Sequence, residues 1–134
     1  MTNIVHNCDC IEHMKDIPDK YYDLAIVDPP YGIGETANRN NTGDRSTKKW
    51  KNPESKKYKM EWDIKPGKEY FNELFRISKN QIIWGANNFM DILPPSTGWI
   101  VWDKEVSEKE HLSMAELAYS SFNIRCKMFR YLWA

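Results

Sequence analysis

Four apolar residues, Leu24-Ala25-Ile26-Val27, run straight into Asp28-Pro29-Pro30-Tyr31. The run is partly β-branched and too short for a helix, so it reads as a fully buried strand of the parallel-sheet type, stopped by the two prolines. Each proline fixes its own φ and holds the residue before it in extended geometry, so Asp28 and Pro29 are rigid. In open α/β sheets ligands gather at the carboxyl ends of strands, which makes Asp28 and its successors the first place to look for a site.

Other elements can be placed around this strand. Ile4–Cys8 reads as a short strand, and a helical turn or two through Ile11–Met14 follows, ended by Pro18. Residues 32–67 are polar with no sustained apolar period, which in a compact domain marks a functional or mobile loop. After Pro66-Gly67, the spacing of Tyr70, Phe71, Leu74, Phe75 and Ile77 predicts a helix, and Gln81–Trp84 a buried strand. Asn88–Leu93 reads as a short helix stopped by Pro94-Pro95, and Trp99–Trp102, Glu116–Ser120 and Met128–Trp133 read as strands. The order predicts an α/β domain with a mainly parallel sheet and an antiparallel end. At 134 residues one domain spanning 1–134 is expected, with a mobile basic loop at about 33–66.

Composition narrows the function classes. Nineteen basic residues balance nineteen acidic ones, so the chain is no histone-like polycation. Residues 39–68 nonetheless hold ten basic residues against four acidic ones, a local charge of +6, and this loop is polarised towards a polyanion. No apolar run approaches the roughly 20 residues of a membrane span, and residues 1–6 lack a basic segment followed by an apolar one; a cytoplasmic protein with no membrane partner is expected. Three cysteines, an odd number, do not suggest a disulfide framework. His6, Cys8, Cys10 and His13 are potential soft ligands, but their spacing departs from paired-ligand patterns, and alternation would give the first three one face of a strand; no metal is expected.

The chemistry is concentrated in Asp28-Pro29-Pro30-Tyr31. Neither proline has an N–H, so the segment presents a carboxylate and carbonyls without competing donors. An acceptor-only wall suits a group with two N–H donors, such as the exocyclic amine of adenine or cytosine, and Tyr31 is placed to stack on a planar base. A Pro-Pro pair alone would merely stop a strand, as Pro94-Pro95 does. The four-residue string behind an apolar strand and before Gly32 is much more specific.

Leu24 to Tyr31 resembles the catalytic motif of the amino-group DNA methyltransferases, in which Asp, Asn or Ser precedes Pro-Pro and an aromatic residue. Asn7–Ile11, Glu61–Asp63, Ile82–Phe89, Trp99–Lys104 and Glu116–Phe122 are similar to segments of bacterial and phage members, so the resemblance spans nearly the whole chain. It implies a Rossmann-like methyltransferase fold, S-adenosylmethionine as cofactor, and methylation of a flipped-out base in double-stranded DNA, as in restriction-modification. Asp28, Pro29, Pro30 and Tyr31 would be catalytic. Asp9 would bond the cofactor's adenine, with Cys10 beside it and Asp28 and Pro29 at the methyl-donor side. Arg39, Arg45, Lys48, Lys49 and Lys51 would hold phosphates.

Aspartate in the first position is more typical of adenine-N6 enzymes than of cytosine-N4 ones, which are the alternative. A protein-glutamine methyltransferase is a further alternative, though that family usually shows Asn at the position of Asp28. The glycine-rich F-x-G-x-G cofactor motif has no match before Ala134, and Gly32-Ile33-Gly34-Glu35-Thr36-Ala37 is a decoy because the residues after it are poor helix formers. The chain is therefore expected to be the catalytic part of a permuted enzyme. Whether it is active alone, binds only DNA or a complementary chain, or forms a homodimer stays open.

Overall fold

The structure, a computed structural model, describes residues 3–32, 63–107 and 113–132. The chain divides into two units, one of Met1–Pro29 with Pro66–Ala134 and one of Pro30–Lys65. The expected mobile loop falls mostly at residues 33–62, outside the described residues.

The first unit is built on a five-stranded mixed sheet: β1 (Tyr22–Val27), β2 (Ser78–Trp84), β3 (Gly98–Asp103), β4 (Ala115–Ser120) and β5 (Lys127–Arg130), in the spatial order β1-β2-β4-β3-β5. β1 pairs with β2 and β3 with β5 in parallel, while β4 runs antiparallel to both β2 and β3. The fold is α/β as expected, but the antiparallel strand lies at the centre of the sheet, not at its end. Four strands therefore finish on one edge of the sheet and only β4 opposes them.

α2 (Lys68–Ile77) forms where the apolar spacing predicts it and buries Tyr70, Phe71, Leu74 and Ile77. Glu69 in its first turn and Arg76 in its last complement the helix dipole. It ends without a loop, because Ser78 is already extended and starts β2. The last carbonyls still find donors: Ser78 Oγ donates to Leu74 O, and Lys20 Nζ donates to Phe75 O at 2.6 Å and Ser78 O at 3.1 Å. α1 (Cys10–Lys15) is capped by Asp9 and tied to α2 by Arg76, which donates to Met14 O, Ile17 O, Asp19 and Glu73. Glu73 and Asp19 in turn raise the guanidinium pKa above its ordinary value.

α2 covers the sheet face carrying Ile83, Tyr119 and Trp99; the Phe75 ring lies 6.3 Å from Tyr119 and Phe71 lies 5.1 Å from Phe89. The register places Leu24, Ile26, Ile82, Trp84, Ile100, Trp102 and Phe129 on the opposite face. There the described residues leave Ile26 62% and Leu24 40% exposed. This corrects the expectation of a fully buried strand: β1 is a parallel strand, but among the described residues it is an edge strand with one neighbour and one uncovered face.

Three other expectations change. Residues 3–9 form no strand, and Ile4 and Val5 are exposed, because no described strand pairs with them. Instead of a helix over Asn88–Leu93, one 3₁₀ turn, Ala86–Asn88, is followed by a turn in which Ile92 and Leu93 both donate to the Phe89 carbonyl. β5 stops at Arg130, short of the predicted Trp133. Among the described residues no helix is long and apolar enough to cross a membrane.

Burial pushes the Tyr70 hydroxyl from its ordinary 10.0 up to about 12, with a smaller contribution from Cys10. The folded chain thus keeps this proton after the unfolded chain has lost it. Tyr70's contribution is complete below about pH 10 and is lost as pH rises towards about 12. Urea unfolding at pH 9 and pH 11 is expected to show a smaller alkaline loss for Tyr70→Phe than for the wild type.

Candidate active site

The site is built from the pairing of β1 and β2. Their register sets Val27 beside Ile83, so both strands end together. Asp28 and Pro29 leave β1 there, Asp28 exposed and Pro29 buried. One strand over, Gly85 takes a left-handed φ of 62°, which turns the chain sharply out of β2. Ala86 is then fully buried, Asn88 Nδ2 donates back to Gly85 O at 3.0 Å, and Asn87 stands exposed.

β3 ends on the same edge. Lys104, just beyond it, is buried, ion-paired with Glu116, and lies 5.4 Å from the centre of the Trp102 ring. Arg130 Nε meets Asp103 Oδ2 at 3.1 Å. Trp102 stacks on Phe129 at 6.2 Å, and Trp84 meets both rings edge-on at 6.4 Å. Trp84, Trp102 and Phe129 therefore form an aromatic cluster on the less covered sheet face.

The second unit begins at Pro30. Tyr31 is half-buried, and Gly32, at φ 69°, donates its N–H to Asp63 Oδ1 at 2.8 Å. A Cβ on Gly32 would lie 3.0 Å from Lys65 Cβ. Left-handed backbone costs an L-residue about 1–2 kcal/mol, so in Gly32→Ala the amide at position 32 is expected to exchange roughly tenfold faster, and Gly32→Asn less so. The stretch after Asp28-Pro29 is thus held by a turn that only glycine adopts without strain.

Of the residues assigned to the cofactor, Asp9 and Cys10 lie at the start of α1, and Asp28 and Pro29 follow β1. Asp9 Oδ1 accepts from Ile11 N at 2.9 Å and Glu12 N at 3.0 Å, so one carboxylate oxygen is spent as a helix cap. Its other oxygen, on an exposed residue beside exposed Cys10, fits an N–H or O–H donor such as an adenosyl group presents. Arg39, Arg45, Lys48, Lys49 and Lys51 lie outside the described residues. The His6 and His13 rings pack 4.4 Å apart, and among the described residues no three His, Cys, Asp or Glu side chains gather as a metal site.

The parallel pairing of β1 and β2 ends Asp28-Pro29 and the Gly85–Asn88 turn on the same edge of the sheet, and that turn appeared in the sequence only as part of a similar segment. A glycine and two asparagines directly after an apolar strand were the available signal. Lys104 and Glu116 were also not assigned a role, and only their pairing across β3 and β4 reveals them. No protein-family model and no curated protein matches the chain.

Proposed function

We propose that this chain carries the amine-positioning part of an S-adenosylmethionine-dependent DNA methyltransferase acting on N6 of adenine. The observation that carries the reading is the place of Asp28-Pro29-Pro30: a carboxylate followed by two prolines that have no N–H, at the carboxyl end of a parallel strand. An exocyclic amine is a poor nucleophile because its lone pair is delocalised into the ring. The Asp28 carboxylate and Pro29 carbonyl accept its two N–H bonds, draw the nitrogen towards tetrahedral geometry, and aim the lone pair outward for in-line attack. Positive charge developing on nitrogen is met by the carboxylate. The cofactor, when bound, supplies an electrophilic methyl group, and Asp9 offers its uncapped oxygen to the adenosyl end.

A target base inside a duplex is out of reach, so it must flip out, with Tyr31 replacing lost stacking and the basic segment holding phosphates. The test is to express the intact coding sequence in a host without DNA methylation and identify the modified nucleosides. N6-methyladenine is expected. N4-methylcytosine alone would overturn the base assignment and leave the amine-positioning mechanism standing; neither nucleoside would overturn the reading.

One observation favours a second reading, in which the chain works only when joined to a complementary polypeptide. Parallel sheets are normally covered on both faces, yet β1 is an edge strand with exposed Leu24 and Ile26. A methyl-transfer assay on the purified chain separates the two, since a self-sufficient enzyme labels plasmid DNA without any added polypeptide.

A further inference from the structure

The sheet face opposite α2 is not evenly apolar: at its β5 end rings and cations lie side by side. The register pairs Trp102 with Phe129, whose ring lies 6.2 Å away with the two planes 5° apart, and Trp84 meets both rings edge-on. β5 is the last strand of the sheet, so among the described residues no strand lies beyond the outer side of Phe129, which is 44% exposed. The Trp102 indole donates to Tyr131 O at 2.9 Å, and Tyr131 N donates to Asp103 O, so the cluster is fastened to the backbone beside it. Tyr131 itself is 70% exposed.

Charge decides what such a surface takes. Residues 121–134 hold Arg125, Lys127 and Arg130 and no acidic residue. All four residues of β5 are exposed, and strand alternation puts Lys127 on the same face as Phe129, about 7 Å along the strand. The acidic neighbours are engaged: Asp103 Oδ2 takes one N–H of Arg130, whose guanidinium has five, and Glu116 is ion-paired with Lys104. Lysine and arginine on an edge strand discourage another protein strand from pairing there, whereas they attract phosphates. Exposed rings interleaved with cations suit a single nucleic-acid strand, in which every base has a flat face to stack and every linkage a phosphate.

We infer that the β5 end of this face is a binding site for single-stranded nucleic acid, with a base stacked on Phe129 and phosphates on Lys127 and Arg130, and with no preference for sequence. The site is independent of the amine-positioning reading. Thymine tests it apart, because thymine has no exocyclic amine for Asp28 and Pro29 to hold.

The experiment measures the anisotropy of two fluorescein-labelled 12-mers with the 134-residue chain at one salt concentration: oligothymidylate, and an abasic strand with the same phosphates. Wild type is expected to bind oligothymidylate about tenfold more tightly than the abasic strand. Phe129→Leu keeps an apolar side chain at an exposed position and removes the ring. It is expected to bind both strands equally at the abasic level, with circular dichroism confirming the fold. Lys127→Glu is expected to weaken both strands about fivefold. Photocrosslinking of wild type to a strand containing 5-iododeoxyuridine needs no variant and is expected to label the peptide that holds Phe129 and Tyr131. Equal binding of the two strands by wild type, a preference that survives in Phe129→Leu, unchanged binding in Lys127→Glu, or crosslinks confined to other peptides overturns the site. So does a wild-type dimer that Phe129→Leu breaks and oligothymidylate does not, since a second copy would then occupy the face. None of these results touches the amine-positioning reading.

Discussion

Asp28→Ala, tested in the complete enzyme, is expected to abolish methyl transfer while cofactor affinity is reduced but measurable. Removing a single charge-stabilising group from a preorganised site typically costs 10²–10³ in turnover, and here the alanine also removes one of two acceptors that set the geometry of the amine. The rest of the wall survives, since the Pro29 carbonyl is backbone and the prolines keep their restrictions. Asp28→Asn separates charge from geometry: it keeps an acceptor oxygen and loses the carboxylate, so partial turnover is the expected result. Single-turnover assays with labelled S-adenosylmethionine measure both variants. Wild-type turnover in Asp28→Ala would sink the assignment of Asp28.

The part of the site visible in the sequence was the part whose chemistry is written in consecutive residues. Asp28-Pro29-Pro30-Tyr31 announces itself because prolines and a carboxylate after an apolar strand have few other uses. The Gly85–Asn88 turn depends on β2 lying beside β1, and no local pattern states that two strands 56 residues apart share a register. The pairing of Lys104 with Glu116 is hidden for the same reason. Asp9 shows the converse: its acidic side chain was read for a ligand, and one of its oxygens caps α1, a role the sequence Asp9-Cys10-Ile11-Glu12 also supports.

Element types followed from periodicity where the period ran long enough. α2 carries its apolar residues at helical spacing over ten residues and folded as predicted. Residues Asn88–Leu93 run straight into Pro94-Pro95 and lack the side-chain cap that Asp9 gives α1, and Phe89 instead became a fully buried anchor against Phe71. Burial was the least legible quantity. Leu24-Ala25-Ile26-Val27 has the composition of a central strand, but whether a strand is central depends on what lies on its far side, which its own residues do not encode.

That difference between apolar sequence and actual burial sets the second large effect. Phe71 is 1% exposed and touches Tyr70 and Phe89, each ring 5.1 Å away. Phe71→Ala removes a whole ring from a closed space, and such truncations cost about 3–5 kcal/mol, a large part of the 5–15 kcal/mol that usually holds a small domain together. Ile26→Ala deletes a side chain of similar hydrophobicity from the exposed face of β1, where little surface is withdrawn from water, so a cost under about 1 kcal/mol is expected in the chain alone. Urea denaturation of both variants at several protein concentrations gives the comparison. A large, concentration-dependent loss in Ile26→Ala would mean that a second copy covers this face in solution; a large loss independent of concentration would mean that the chain itself covers it, and the edge position of β1 would have to be abandoned.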